Sequence, residues 1–158
     1  MSTLKEAAQR VQQRAHELGL DIAVRQMPAS TRTAEEAAAA CGCGVGQIVK
    51  SLVFKGRSSG KPYLLLVSGA NRVDEKGVAG VIGEALVRPD AQFVRDVTGF
   101  AIGGIPPLGH ATPLSTYFDR DLLGYDVVWA AAGTPESVFA VAPAMLVEKT
   151  GATVIAVR

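Results

Sequence analysis

Residues 33–56 read TAEEAAAACGCGVGQIVKSLVFKG, and the order of their parts decides what kind of fold the chain can adopt. Thr33 followed by Glu36 is a capping-box pattern, so the run AEEAAAA opens as a helix. Gly42 and Gly44 stop that helix and turn the chain. IVKSLVFKG (48–56) is then β-rich, GRSSGKP is turn-rich and YLLLVSG (63–69) is a second strand, which predicts a hairpin. The unit therefore runs helix, turn, strand, strand. A phosphate-binding loop runs strand, loop, helix, so that helix amides face the anion. GCGVGQIVK also fails to match G-x-x-x-x-G-K-[ST].

Upstream, TLKEAAQRVQQRAHELG reads as an amphipathic helix with Leu4, Ala7, Ala8, Val11, Ala15 and Leu18 on one stripe. Thr3 and Glu6 repeat the capping box, Gly19 is the stop, and His16 falls off the stripe as a surface histidine. DIAVRQ (21–26) reads as a short strand and PASTRT as a loop. Downstream, DEKGVAGVIGEA (74–85) reads as a helix that Gly77 and Gly80 weaken, and Asp90 caps another through Val97. TGFAIGGIPPLGH is a glycine- and proline-rich loop and no dinucleotide fingerprint. TPLSTYFD, YDVVWAAAG (125–133), SVFAVAP (137–143) and ATVIAV read as strands, the middle two paired, with AMLVEKTG a short helix. Helices and strands intermix without a steady βαβ rhythm. The fold class expected is α+β, a mixed sheet flanked by helices, with partial closure into a barrel allowed.

The 158 residues fit one domain spanning 1–158, and 48% hydrophobic with 20% charged residues is globular composition. A net charge of +1 argues against a grip on a long stretch of nucleic acid, although a protein touching only its end needs no basic excess. The N-terminus has no apolar signal core and no apolar run spans a bilayer, so a cytoplasmic protein without membrane contact is expected.

Three chemistries fail on the residues present. Cys41 and Cys43 supply two thiols where a structural zinc site wants four ligands, and neither His16 nor His110 has ligand spacing to a partner. A disulfide between two cysteines one residue apart would be strained. A Cys or Ser nucleophile needs a base, and no G-x-S-x-G elbow is present. That leaves Lys50, which shares a strand face with Leu52 and Phe54. One reading is a lysine whose stem packs and whose ammonium reaches water; the other is an ammonium at a pocket rim, held for an anionic or carbonyl oxygen. Spacing alone leaves both standing, with the first ahead.

The order and spacing of TAEEAAAACGC (33–43), QIVKSLVFK (47–55), SGANRVDEK (68–76), GFAIGGIPPLGH (99–110) and VWAAAGTPESVFAV (128–141) shift that balance. Together they resemble the YbaK/prolyl-tRNA synthetase-associated domain family of aminoacyl-tRNA deacylases, over nearly the whole chain. The resemblance implies that Lys50 is the family's lysine and that Gly103-Gly104-Ile105-Pro106-Pro107 is its G-x-x-x-P loop. Gly133 resembles its pocket-wall glycine turn. It implies Lys50 and Gly103 as catalytic, with Gly104, Ile105, Pro106, Pro107 and Gly133 binding substrate. His110 matches no required family residue, and Asn71, Arg72 and Asp74 either shape a neighbouring loop or form a salt-linked turn.

The implied activity is trans-editing: hydrolysis of tRNA(Pro) carrying a small wrong amino acid of the Ala, Cys, Ser or Thr class. The implied partners are the tRNA acceptor end and prolyl-tRNA synthetase, not DNA, and the implied cofactor is none. The family is held to use no side-chain nucleophile, which agrees with the missing nucleophile–base pair. The rival readings are a non-catalytic RNA-end-binding module and a small-metabolite enzyme with the same pocket.

Overall fold

A computed structural model describes residues 5–158. Its order is α1 (Glu6–Glu17), β1 (Arg25–Gln26), α2 (Ala34–Cys41), β2 (Ile48–Gly56), β3 (Pro62–Ser68), α3 (Glu75–Ile82), β4 (Leu86–Val87), α4 (Ala91–Thr98), β5 (Ser115–Asp119), β6 (Val128–Ala131), β7 (Ser137–Val141), α5 (Pro143–Thr150) and β8 (Thr153–Ile155). The fold is α+β, as the sequence implied. The strands form one mixed sheet in the order β1-β7-β6-β2-β3-β5-β8, with β4 joined to β2 beside β6. The sheet stays open. Its end strands are two and three residues long and pair only with β7 and β5, too little edge to close a barrel.

The predicted hairpin forms in full register, from Val49 opposite Ser68 to Lys55 opposite Pro62. β3 explains its unbroken apolar run by being buried on both faces. Leu64 and Leu66 join Val11, Phe118, Phe139 and Leu146 on one side, while Leu65 and Val67 join Phe54, Val78 and Val157 on the other. All four β3 side chains are fully buried. Each contributes about 1.5–3 kcal/mol relative to exposure.

Local chemistry sets the helix ends. In α2 the Glu36 N–H donates to Thr33 Oγ1 at 3.1 Å and the Thr33 N–H donates to Glu36 Oε1 at 3.2 Å. Gly42 then closes the helix in the left-handed region at φ 68°. Asp74 and Asp90 cap α3 and α4 by accepting from the Gly77 and Phe93 N–H groups. The Thr3 cap and Leu4 expected for α1 lie outside the described residues; the described N-cap is Lys5, without a side-chain cap.

Two expectations need correction. The strand expected over 21–26 shrinks to Arg25–Gln26, because α1 claims the backbone before it: Gln12 Nε2 donates to the Ile22 carbonyl and Gln12 Oε1 accepts from the Val24 N–H, both at 2.7 Å. The tail of the helix expected over 74–85 is cut short, since Gly83 at φ 104° ends α3. Glu84 leaves the helix to tie the hairpin, accepting from Ser58 and Ser59 N–H, Ser59 Oγ and Tyr63 Oη. These donors, the Ser59 hydroxyl foremost, hold its pKa at about 2 against an ordinary 4.5. A depressed carboxylate stabilises the fold above its ordinary pKa and loses that contribution as pH falls through its folded value. The Tm gap between wild type and Glu84→Gln is therefore expected to be full at pH 7 and to close between pH 4.5 and about 2. A constant gap across a thermal-melt series would remove Glu84 from this role.

Candidate functional site

β6 runs parallel to β2 only at Ile48–Trp129 and Val49–Ala130, then diverges. The wedge left between them is a cavity of about 420 Å³. Its walls are the start of α2 with Thr31, Arg32 and Glu35, the first half of β2, Trp129 and Ala131 of β6, and Gly103 with Ile105. A second cavity of about 300 Å³ continues along β2 toward Arg88 and Pro89, sharing Ser51, Leu52, Ile102 and Ile105 with the first.

Lys50 lies in the first cavity, half-buried, and its Nζ donates to the Asn71 carbonyl at 2.7 Å. That carbonyl is fixed from below. Asn71 Nδ2 donates to Asp119 Oδ2 and Asp121 Oδ2 at 2.8 Å each, and Asp119, itself buried, also accepts from the Ser68 N–H at 3.0 Å. Burial lowers the Lys50 pKa from its ordinary value; Arg72 adds to this, while Glu35 and Asp119 oppose it. A lysine has three donors, and Asn71 occupies one. Of the turn residues read from sequence, Asn71 thus positions Lys50 through its backbone, and Asp74 serves as the α3 cap.

The G-x-x-x-P loop divides into a rim and a foundation. Gly103 and Ile105 face the first cavity; Gly104, Pro106, Pro107 and Gly133 do not line it. Gly103 has φ 103°, open to glycine alone, and Arg32 lies over it, since a Cβ there would stand 3.0 Å from Arg32 Nε. Gly104 abuts the Thr134 backbone, and its carbonyl accepts from the Gly133 N–H at 2.8 Å. Pro106 and Pro107 are buried, and the Pro106 carbonyl accepts from His110 Nε2 at 2.7 Å. His110 therefore pins the loop from behind in its Nε2–H form, and burial lowers its pKa so that this neutral form is favoured. Sequence reasoning missed that tie, along with Thr31, Arg32, Glu35 and Trp129. The only local signal for the Arg32 position was the Thr33 cap, which sets it just before a helix.

Neither cysteine lines either cavity. Burial foremost, with Cys43 beside it, pushes the Cys41 pKa up to about 11, and burial raises that of Cys43. Both shifts favour the thiol over the thiolate, the weaker nucleophile of the two. Among the described residues no three His, Cys, Asp or Glu side chains gather as a metal site. No described helix is long and apolar enough to cross a membrane.

The cavity gathers the cations Lys50 and Arg32, the Glu35 carboxylate and the Gly103 backbone in one lining, a set with the chemistry to hold an anionic or ester group. The chain belongs to the aminoacyl-tRNA editing domain family, whose model matches residues 28–149. It is 50% identical, with a TM-score of 0.93, to the solved structure of a candidate trans-editing enzyme for prolyl-tRNA synthetase, covering 99% of each chain. The YwhH protein of Bacillus subtilis is 30% identical over 125 residues, 79% of each chain. A candidate Cys-tRNA(Pro)/Cys-tRNA(Cys) deacylase of Enterococcus faecalis is 27% identical over 75% of this chain and 72% of its own. The proline–tRNA ligase of Limosilactobacillus fermentum is 31% identical over 96 residues, which is 58% of this chain and 17% of the ligase.

Proposed function

We propose that this chain is a cytoplasmic hydrolase, working as one editing domain over 1–158, that removes a small wrong amino acid from tRNA(Pro). The observation that carries the reading is Lys50, half-buried in a cavity that Gly103 also lines, with two N–H donors left after its bond to Asn71. In this reading Lys50 binds the terminal phosphate or ribose of the acceptor end by charge, a contact that positions without reading sequence. The ester carbonyl lies toward Gly103, whose backbone can approach because no Cβ intervenes. The attacking oxygen comes from water, aided by the substrate's own ribose hydroxyl, and backbone donors receive the oxyanion. Arg32 adds a second cation to the lining. The near-neutral net charge suits a protein that holds only the end of its tRNA. Prolyl-tRNA synthetase is the expected partner; DNA and membranes are not.

The test is release of labelled amino acid from tRNA(Pro) charged with alanine, cysteine, serine, threonine or proline. Release from one or two of the small residues, with proline spared, is the expected result. No release from any, with the acceptor end still bound, would replace the deacylase by an RNA-end-binding module.

A further inference from the structure

Both cavities meet β2 along one edge, and the register explains why. In the β2–β3 ladder the Gly69 N–H donates to the Ile48 carbonyl and the Gly56 N–H to the Lys61 carbonyl, each at 2.8 Å. Backbone groups alternate sides along a strand, so even-numbered β2 residues address β3 and odd-numbered ones address the opposite edge. On that edge Val49 pairs with Ala130 of β6, and Lys55 pairs with Val87 of β4. Ser51 and Val53 lie between, and neither ladder reaches them. β6 has left by then, its continuation tied elsewhere: the Ala132 N–H donates to Ser137 and the Gly133 N–H to Gly104. β4 cannot extend, because its register would set Pro89 opposite Val53, and proline has no N–H to give.

Ser51 adds a second, independent sign. Its Oγ is the one buried side-chain polar atom without a hydrogen-bond partner among the described residues. Ser51 lines both cavities. An unpaired buried hydroxyl is unfavourable in a finished fold, so its partner has to come from a water or from a ligand.

We infer that the substrate's aminoacyl group docks on this free edge as a one-residue strand, with Ser51 as its specificity-determining contact. The inference rests on the deacylase reading above. An aminoacyl ester carries its α-ammonium and carbonyl oxygen in the N–Cα–C=O order of a peptide residue. In extended form both project to one side, as they do from a residue in a ladder. The ammonium then donates to the Ser51 carbonyl in either strand direction, and Ser51 Oγ offers it a second acceptor. The ester carbonyl, with one lone pair left toward Gly103, accepts through the other from the Ser51 N–H in an antiparallel pose or from the Val53 N–H in a parallel one. Recognition thus falls on the free α-amine, which every small amino acid shares, and leaves the side chain to the cavity wall.

The experiment compares alanyl-tRNA(Pro) with N-acetyl-alanyl-tRNA(Pro), each rate divided by its uncatalysed hydrolysis, for wild type and Ser51→Ala. Wild type is expected to prefer the free amine by roughly 100-fold or more, since acetylation removes the charge and leaves a single N–H, enough for the Ser51 carbonyl but none for Ser51 Oγ, and a site built for the fuller donor set rejects the poorer one. Ser51→Ala keeps the backbone carbonyl, so the preference is expected to fall about tenfold while the Tm stays or rises, because the lost hydroxyl had no partner to strand. Equal wild-type rates on the two esters would overturn the inference and leave the deacylase standing. Equal losses on both esters in Ser51→Ala, or a Tm lowered by several degrees, would make Ser51 a structural residue and overturn it too. No release of alanine by wild type would remove the deacylase reading, and this inference with it.

Discussion

Lys50→Ala is expected to cut single-turnover deacylation by roughly 100- to 1,000-fold while the protein stays folded, the scale seen when a positioning contact at a reacting centre is lost. The two halves of that expectation have separate causes. The fold loses one hydrogen bond, from Nζ to the Asn71 carbonyl, and the packing of a half-buried stem. A bond of this kind contributes about 1–2 kcal/mol net. The Asn71 turn does not depend on it, because Asp119 and Asp121 hold the Asn71 side chain from the other side. The site, by contrast, loses its half-buried cation. Arg32 remains in the lining, but it is an exposed loop residue rather than a half-buried one on a strand. Lys50→Arg is expected to recover little, because a planar guanidinium cannot replace a compact ammonium in contact with one fixed carbonyl. Rates on the fastest substrate of the tRNA(Pro) panel, read beside circular-dichroism melts, decide the matter. Full activity in the alanine variant would sink Lys50 as a site residue.

The difference between Lys50 and Ser51 shows what a sequence makes legible. α2, its capping box and the whole of β2 were readable because their causes are local: a cap three residues from its partner, a glycine at a left-handed stop, a β-rich run between turns. Lys50 could be placed on a strand face by counting. The forked edge of β2 could not, because it depends on where β6 departs, 80 residues on, and on Pro89 falling opposite Val53. β4 itself is two residues long and carries no periodicity to detect. β1 failed for the converse reason: its pattern was right for a strand, but a glutamine on α1 took the backbone groups that a ladder needed. The G-x-x-x-P loop was visible as a motif, yet its division into a cavity rim at Gly103 and Ile105 and a foundation at Gly104, Pro106 and Pro107 exists only in three dimensions.

That division yields the second large expectation, that Gly104→Ala lowers the Tm by about 5–10 °C and activity at least tenfold. A Cβ on Gly104 would stand 2.7–2.8 Å from the N, Cα and C atoms of Thr134, closer than any real methyl contact. Those are backbone atoms, and they are held. The Gly133 N–H donates to the Gly104 carbonyl, Thr134 Oγ1 is 2.6 Å from Ser137 Oγ, and the Pro135 carbonyl accepts from both the N–H and Oγ1 of Thr31. The neighbour cannot rotate away, so the loop must move. Overpacking of this kind costs about 1–3 kcal/mol, here toward the upper end. In a chain of this size each kcal/mol shifts Tm by about 2–4 °C. Gly103→Ala is a different perturbation: its strain is the φ of 103°, and the atoms it meets belong to the flexible Arg32 side chain. Gly80 serves as the control, since a Cβ there meets nothing within 4 Å on α3 and alanine should be neutral or mildly stabilising. The same shift that destabilises Gly104→Ala displaces Gly103 and Ile105, the two loop residues that face the cavity, so activity should fall even at temperatures where the variant is fully folded. A Gly104→Ala protein that melts within 2 °C of wild type, or that deacylates normally while folded, would show that the loop does not lean on the β6–β7 turn and that the cavity rim is set by something else.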